Sequence, residues 1–540
     1  MRNSKAFLAA LSAICIAFSA SASALAVGET QINGETEAYT GDAETEYGAV
    51  IIRSGETVEY YGDWSKALLS WKLHAGDTVK LLTDYESTVV NYYPMQYNLW
   101  RNITLDLNGY TLDTATAYIQ IMANGFTITD SSNEKTGKLT ADHQCLFVSS
   151  GSDVTLDGVT VESVNTPVPL KDDPTKGTKY GTIINEGVLN IVNSKITGGY
   201  EAIETRNDGD VTINGEDTDI QGPIFVHHGA GLTVNNGKIQ SDDYNAIYGN
   251  GSSGYGDTNI TINGGEIIST DGTGIYLPQS GNATITGGTI TGKFTAVEIV
   301  SGNLTITGGE LISTANEGVE FRNDPKADGA QYYGAALAVV GRSEADGSSG
   351  YTGDINVNIS GGNFTGPQAM AVVMQDTRDE QASIENITIT GGNFVGFEIE
   401  NIENIENDNL SMYVGDTCSN KALISGGTFN TDVTPYMADG TAYSVVGDEY
   451  TVYSADNKIT GEGTYMTPAS GGTYDQLTTV TKKITETTKA SDISFNVAVN
   501  DGTSQTYNYK GDTEFTNATV LFGLVVTDIP ANETVTVTMN

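Results

Sequence analysis

Six apolar pairs recur through the middle of the chain: Ala202-Ile203, Pro223-Ile224, Ala246-Ile247, Gly274-Ile275, Ala296-Val297 and Gly318-Val319. Strand alternation turns the residue after each pair outward. That column reads Glu204, Phe225, Tyr248, Tyr276, Glu298 and Glu320. Two positions further on, again outward, stand Arg206, His227, Asn250, Pro278, Val300 and Arg322. Three aromatics flanked by carboxylates on a flat sheet are the chemistry of a sugar platform. Aromatic rings cover the apolar faces of sugars, and carboxylates accept from their hydroxyls. Phe225, Tyr248, Tyr276, Glu204, Arg206 and His227 are therefore the candidate ligand-binding residues. The competing reading is structural, because aromatics favour strands and stack as ladders for stability alone.

Catalysis on the same face demands more. A glycoside hydrolase needs two carboxyls about 5–10 Å apart, one of them held protonated. Glu298 and Glu320 sit one repeat apart, but a chain this rich in acids produces such a pair by chance. A lyase needs clustered acids for calcium and a basic proton acceptor, and Arg206 and Arg322 are several repeats apart. The expectation is a non-catalytic face, with Glu298, Glu320 and Arg322 as the only catalytic candidates. His74, His143, His227 and His228 are scattered, and adjacent strand residues 227 and 228 point to opposite faces, which disfavours a shared metal. No cofactor is expected, and calcium has no EF-hand loop or nonapeptide repeat to support it. Asp172-Asp173 and Asp242-Asp243 fall in turns and read as solvated.

These residues need a scaffold that repeats. One phrase does: apolar, Thr or Asn, Ile, a polar residue, Gly-Gly, a polar residue, then Ile or Phe. Its clearest copies are Ile260 to Ile267 and Leu304 to Leu311. The central apolar anchors fall at 107, 128, 156, 191, 213, 234, 262, 285, 306, 359, 389 and 424. Five of the eleven intervals lie between 21 and 23, and the interval of 53 leaves room for a degenerate coil. Alternating runs of three to five residues are strand-like, and Gly-Gly supplies the positive φ of a tight bend. Three short strands per repeat describe one turn of a parallel β-helix, because a single coil cannot bury its apolar face and stacking solves this. About twelve coils at the strand spacing make a rod about 55 Å long. Hairpins of a β-sandwich do not repeat one phrase in this way.

Open end coils would template aggregation. A short helix after Asp63, with Trp64, Leu68 and Trp71 on one face, is read as the N-terminal plug. Residues 432–452, with Tyr436, Tyr443 and Tyr450, are read as the cover of the last coil. The β-helix with its caps is assigned to 61–455, and longer alternating runs in 456–540 suggest a small, separate β-sandwich. Residues 27–60 read as an acidic segment, partly disordered.

The chain has 540 residues with 63 Gly, 3 Cys and a net charge of −42, which disfavours nucleic acid and anionic membranes as partners. Cys145 and Cys418 lie about nine coils apart, about 40 Å at the strand spacing, so they cannot reach the roughly 7 Å Cα separation of a disulfide. Residues 1–26 read as a signal peptide, with Arg2 and Lys5, an apolar stretch from Ala6 to Phe18, and Ala24-Leu25-Ala26 at the cleavage site. No later stretch reads as a membrane span. A secreted or cell-surface protein is expected, its partner a glycan or a surface protein.

The run Asn102 to Leu112, following the helix and Asp77-Thr78-Val79, resembles the first coil of right-handed β-helix surface proteins. Ile424-Ser425-Gly426-Gly427-Thr428-Phe429, followed by Tyr436 to Gly440, resembles their last coil. Such proteins are similar in fold to pectin lyases and are frequent among secreted proteins of Gram-positive gut bacteria. The resemblance spans roughly residues 60–455 and implies an all-β, right-handed parallel β-helix. Its members include lyases, hydrolases, adhesins and proteins of no known activity, so fold alone does not decide function. Consecutive Gly-Asp-Asp, the hydrolase signature, and an Arg-x-Pro-x-x-Arg lyase phrase are both absent. The reading is a non-catalytic, adhesin-like or glycan-binding rod; the alternatives are a polysaccharide lyase or hydrolase, and a purely structural surface protein.

Overall fold

A computed structural model describes residues 47–540 apart from short stretches, the longest being 88–95, 170–176, 317–328, 342–353, 374–383 and 399–408. The signal-like segment and the acidic stretch to Glu46 lie outside the described residues, as does Asp172-Asp173.

The recurring phrase folds as its pattern dictates. In the strand Thr258–Ile262, Ile260 and Ile262 are buried while Thr261 faces outward. Gly264-Gly265 then turns the corner, and each glycine has its own reason. Gly265 has φ +84°, and a Cβ on Gly264 would collide with the carbonyl oxygen of Asn235 in the preceding coil. The pairs Gly287-Gly288, Gly308-Gly309 and Gly361-Gly362 repeat both constraints. The second strand, Glu266–Ser269, and the third, Thr273–Leu277, complete the coil.

Stacked coils pair in parallel along three ladders. In the first ladder Ile128, Leu156, Ile191, Ile213, Val234, Ile262, Ile285, Ile306, Ile359, Ile389 and Ile424 stand in one register column. The fold is an all-β parallel β-helix, as the repeat predicts. Two details differ. The residue opposite Ile128 is Leu105, not Leu107; both leucines are fully buried, so a period of two cannot choose between them. Ile306 pairs directly with Ile359, so the long interval is one coil with extra residues and hides no second coil.

The core is a column of aliphatic side chains down the rod. In the last coils the second-ladder position held by Leu311 passes to Phe364, Phe394 and Phe429, which form a ring stack beside the aliphatic column, at 4.4 and 4.7 Å between centroids with 6° tilts. Outside the first ladder, Asn282, Asn303, Asn356 and Asn386 hydrogen-bond one to the next along the rod. Each amide thus serves its neighbour.

Both ends are capped. Asp63 Oδ1 accepts from the backbone N–H of Lys66 and starts the helix Trp64–Leu69. Trp64 and Leu68 plug the core, but Trp71 is 80% exposed. The helix ends at Leu69 and Ser70 is extended, so Trp71 leaves the helical face on which Trp64 sits. The antiparallel hairpin Ala49–Arg53 with Glu56–Tyr61 adds a second cap that pairs with Thr78–Leu81. The end of the 27–60 segment is thus strand and turn; Ala49 and Ile51 are fully buried, and Ser54-Gly55 makes the turn. At the far end the hairpin Thr441–Val446 with Glu449–Ser454 pairs antiparallel onto Ile424–Phe429, with Tyr436, Tyr443 and Tyr450 packed on the core.

Beyond it, two sheets share a second core built on Phe495, Phe522, Val535 and Val537. This is the expected sandwich-like arrangement. It has its own core but is not a detached body: residues 47–540 form one unit, and Thr441–Val446 lies against Ala518–Pro530. Cys145 and Cys418 are both buried and are not bridged to each other. Among the described residues no helix is long and apolar enough to cross a membrane.

Candidate functional site

The third ladder carries the outward column almost as its spacing implies. Glu204 pairs with Phe225, Phe225 with Tyr248, Tyr248 with Tyr276 and Tyr276 with Glu298. The next residue is Ala338, on the strand Ala335–Val340. Gly318-Val319 is therefore not the corresponding pair, and Glu320 and Arg322 lie outside the described residues. Glu298 is fully buried and accepts a 2.8 Å hydrogen bond from the backbone N–H of Gln331. Tyr276 is 4% exposed and borders only a gap of about 20 Å³, too small for a sugar ring. The column offers its side chains from Glu204 to Tyr248 and is closed beyond.

At the open end the residues converge. The Phe225 ring stacks on Tyr248 at 4.7 Å and 10°, and lies 4.0 Å from the His227 ring. His227 Nε2 and Glu204 Oε1 share a 2.9 Å hydrogen bond. Arg206 donates to the same oxygen at 3.2 Å and to Glu186 at 2.9 Å. Burial alone would raise the Glu204 carboxyl, but the His227 hydrogen bond and the Arg206 charge outweigh it and hold Glu204 below its ordinary pKa.

Glu201, which strand alternation does not single out, belongs to the same cluster. It occupies the corner before Ile203–Thr205, is 5% exposed, and accepts a 2.8 Å hydrogen bond from the Tyr248 hydroxyl. Desolvation pushes its carboxyl up to about 7; the Tyr248 hydrogen bond opposes this and the charge of Glu204 adds to it. The carboxyls of two neighbouring glutamates are thereby shifted in opposite directions.

A recess opens beside this cluster because the corners between second and third ladders differ in length. Four residues join Lys195–Gly198 to Ile203–Thr205, and five join Lys238–Ser241 to Ile247–Tyr248. The coil between spans the same corner with only Gly222-Pro223. The short corner leaves a depression of about 440 Å³, walled by Tyr200, Tyr244 and Tyr248 and rimmed by Gln221, Asp242 and Asp243. Tyr200 and Tyr244 are about half exposed, and Tyr244 meets Tyr248 edge-on at 5.0 Å. Asp242 and Asp243 are exposed, as expected, but they line a cavity and not an empty turn. Comparing corner lengths from coil to coil is the signal that would have revealed the recess and Glu201.

Among the described residues no group of three or more His, Cys, Asp or Glu could hold a metal ion. Comparison with protein-family models, curated proteins and solved structures finds no match to this chain.

Proposed function

We propose that this chain is an exported β-helix protein of the pectin lyase-like kind that binds a glycan at the cell surface, without turning it over, through the recess at Tyr200, Tyr244 and Tyr248. The observation that carries the reading is the tyrosine-walled depression of about 440 Å³, a volume within the roughly 300–1,000 Å³ of small-molecule sites. Exposed tyrosine faces stack on sugar rings, and Gln221 and Gln240 in the lining supply hydroxyl partners. Glu201 is buried and not one of the recess-lining residues, which favours binding over proton transfer to a ligand. Glycan-array binding followed by calorimetry tests it. Tyr244→Ala should weaken the captured glycan about five- to tenfold; unchanged affinity removes this recess as the site.

One observation favours a hydrolase as the second reading: Glu201 and Glu204 are neighbouring carboxyls shifted in opposite directions. New reducing ends on incubation with polysaccharide, lost in Glu201→Gln, would replace the binding reading.

A further inference from the structure

The lining of the recess has a charge as well as a shape. Of its described residues two are carboxylates, Asp242 and Asp243, and none is Lys, Arg or His. Asp242 is held in place: its Oδ1 accepts from Gln240 Nε2 at 2.7 Å and Thr270 Oγ1 at 3.3 Å. Asp243 has no hydrogen bond or ion pair among the described residues. Of the basic side chains in neighbouring coils, Lys195 pairs with Asp219, Lys293 with Asp271, and Arg206 with Glu186 and Glu204; Lys238 shares the strand of Gln240 but does not line the recess. Among the described residues no basic side chain forms an ion pair with Asp242 or Asp243, and their charge is open to a ligand.

The aromatic wall favours the same sign. A cation placed over tyrosine faces is attracted by the ring quadrupole, and an aromatic cage with carboxylates at its edge is how ammonium groups are recognised. Tyr248 donates its hydroxyl proton toward Glu201, which enriches the electron density of the ring facing the recess. A polyanionic glycan would meet Asp242 and Asp243 with its own charge, and the whole chain, at −42, would repel it further.

We infer that the recess recognises an amino sugar carrying a free, protonated amine, with Asp242 and Asp243 as its counter-charges and Tyr200, Tyr244 and Tyr248 enclosing the ring. The inference rests on the glycan-binding reading and narrows it to one class of sugar. Gln221 and Gln240 favour a sugar over a lysine side chain, because they line the recess with partners for hydroxyls that lysine lacks.

The test is calorimetric titration of the full chain with three tetrasaccharides: glucosamine, N-acetylglucosamine and galacturonic acid. It is run at about pH 6, where an amino-sugar amine is charged. The glucosamine tetramer should bind about tenfold more tightly than its acetylated form, and the galacturonate should not bind. Asp242→Asn with Asp243→Asn, both exposed positions, should cost the glucosamine tetramer about fivefold and leave the acetylated form unchanged. Raising salt from about 50 to about 500 mM should narrow the gap between the two tetramers. Equal binding of the amine and acetyl forms overturns this inference while leaving the glycan reading standing. Tetralysine binding as tightly as the glucosamine tetramer overturns the assignment to a sugar. Binding of none of the saccharides, here or on the array, overturns both readings.

Discussion

The hydroxyl of Tyr248 donates a 2.8 Å hydrogen bond to Oε1 of Glu201, although the two residues belong to coils two steps apart along the rod. The coil between them turns the same corner with only Gly222-Pro223. The bond ties Tyr248, part of the recess wall, to the buried corner residue Glu201.

Glu201 makes this corner pH-sensitive. Its carboxyl is raised from 4.5 to about 7, so its neutral form favours the folded state. That contribution is full below the ordinary value and is lost as pH rises through about 7, on the order of 2 kcal/mol. Glu204 acts oppositely, since its lowered pKa gives stability that is lost as pH falls. Melting curves from about pH 5 to about pH 8 should therefore decline less in Glu201→Gln than in the parent. Tyr248→Phe should move the Glu201 titration above 7, because the lost hydrogen bond lowers that pKa; carboxyl NMR reads the shift.

The three tryptophans should report the N-terminal cap. Trp64 is fully buried, whereas Trp71 and Trp100 are 80% and 67% exposed. Acrylamide should quench the latter two and spare a blue-shifted remainder. Trp64→Ala should cost about 3–5 kcal/mol by denaturant unfolding, and Trp71→Ala no more than about 0.5 kcal/mol.

Phe394 stacks on Phe364 above and Phe429 below, all three fully buried. Phe394→Ala removes both contacts and should destabilise by about 3–5 kcal/mol. Phe394→Leu should recover more than half of that in the same denaturant series, because the volume is largely restored.

Two glycines with nearly the same φ should respond differently to alanine. Gly55, at +85°, has open space around it, so Gly55→Ala carries only the conformational cost of about 1 kcal/mol. Gly288, at +82°, would press a Cβ 2.9 Å from the backbone of Gly264 in the preceding coil. Gly288→Ala should cost at least twice as much, since the coils must part to admit it; paired thermal melts compare the two.

The coil repeat was legible because one physical demand, an inward aliphatic and a glycine corner, recurs at every turn. It failed where that demand is met by more than one residue, as with Leu105 and Leu107. The outward column was read correctly from Glu204 to Glu298 because strand alternation is local. Burial of Tyr276 and Glu298 was not legible, because it depends on what packs over the strand and not on the strand itself. Ala338 was missed for a related reason: extra residues between second and third strands carry a Gly-Val pair that imitates the repeat. Glu201 and Tyr244 escaped notice since corners follow no period. Their importance emerges only when the lengths of three successive corners are compared.

Ile306 and Ile359 are adjacent across one backbone step while their sequence numbers differ by 53. The hydrogen-bonded ladder meters the rod by turns, so sequence spent at a corner alters girth and leaves reach untouched. Natural drift can therefore rewrite what the surface displays, corner by corner, at constant span. A foreign peptide spliced after Ser313, where the chain already leaves its second strand for a long connection, would be carried as cargo by a ruler whose graduations do not move.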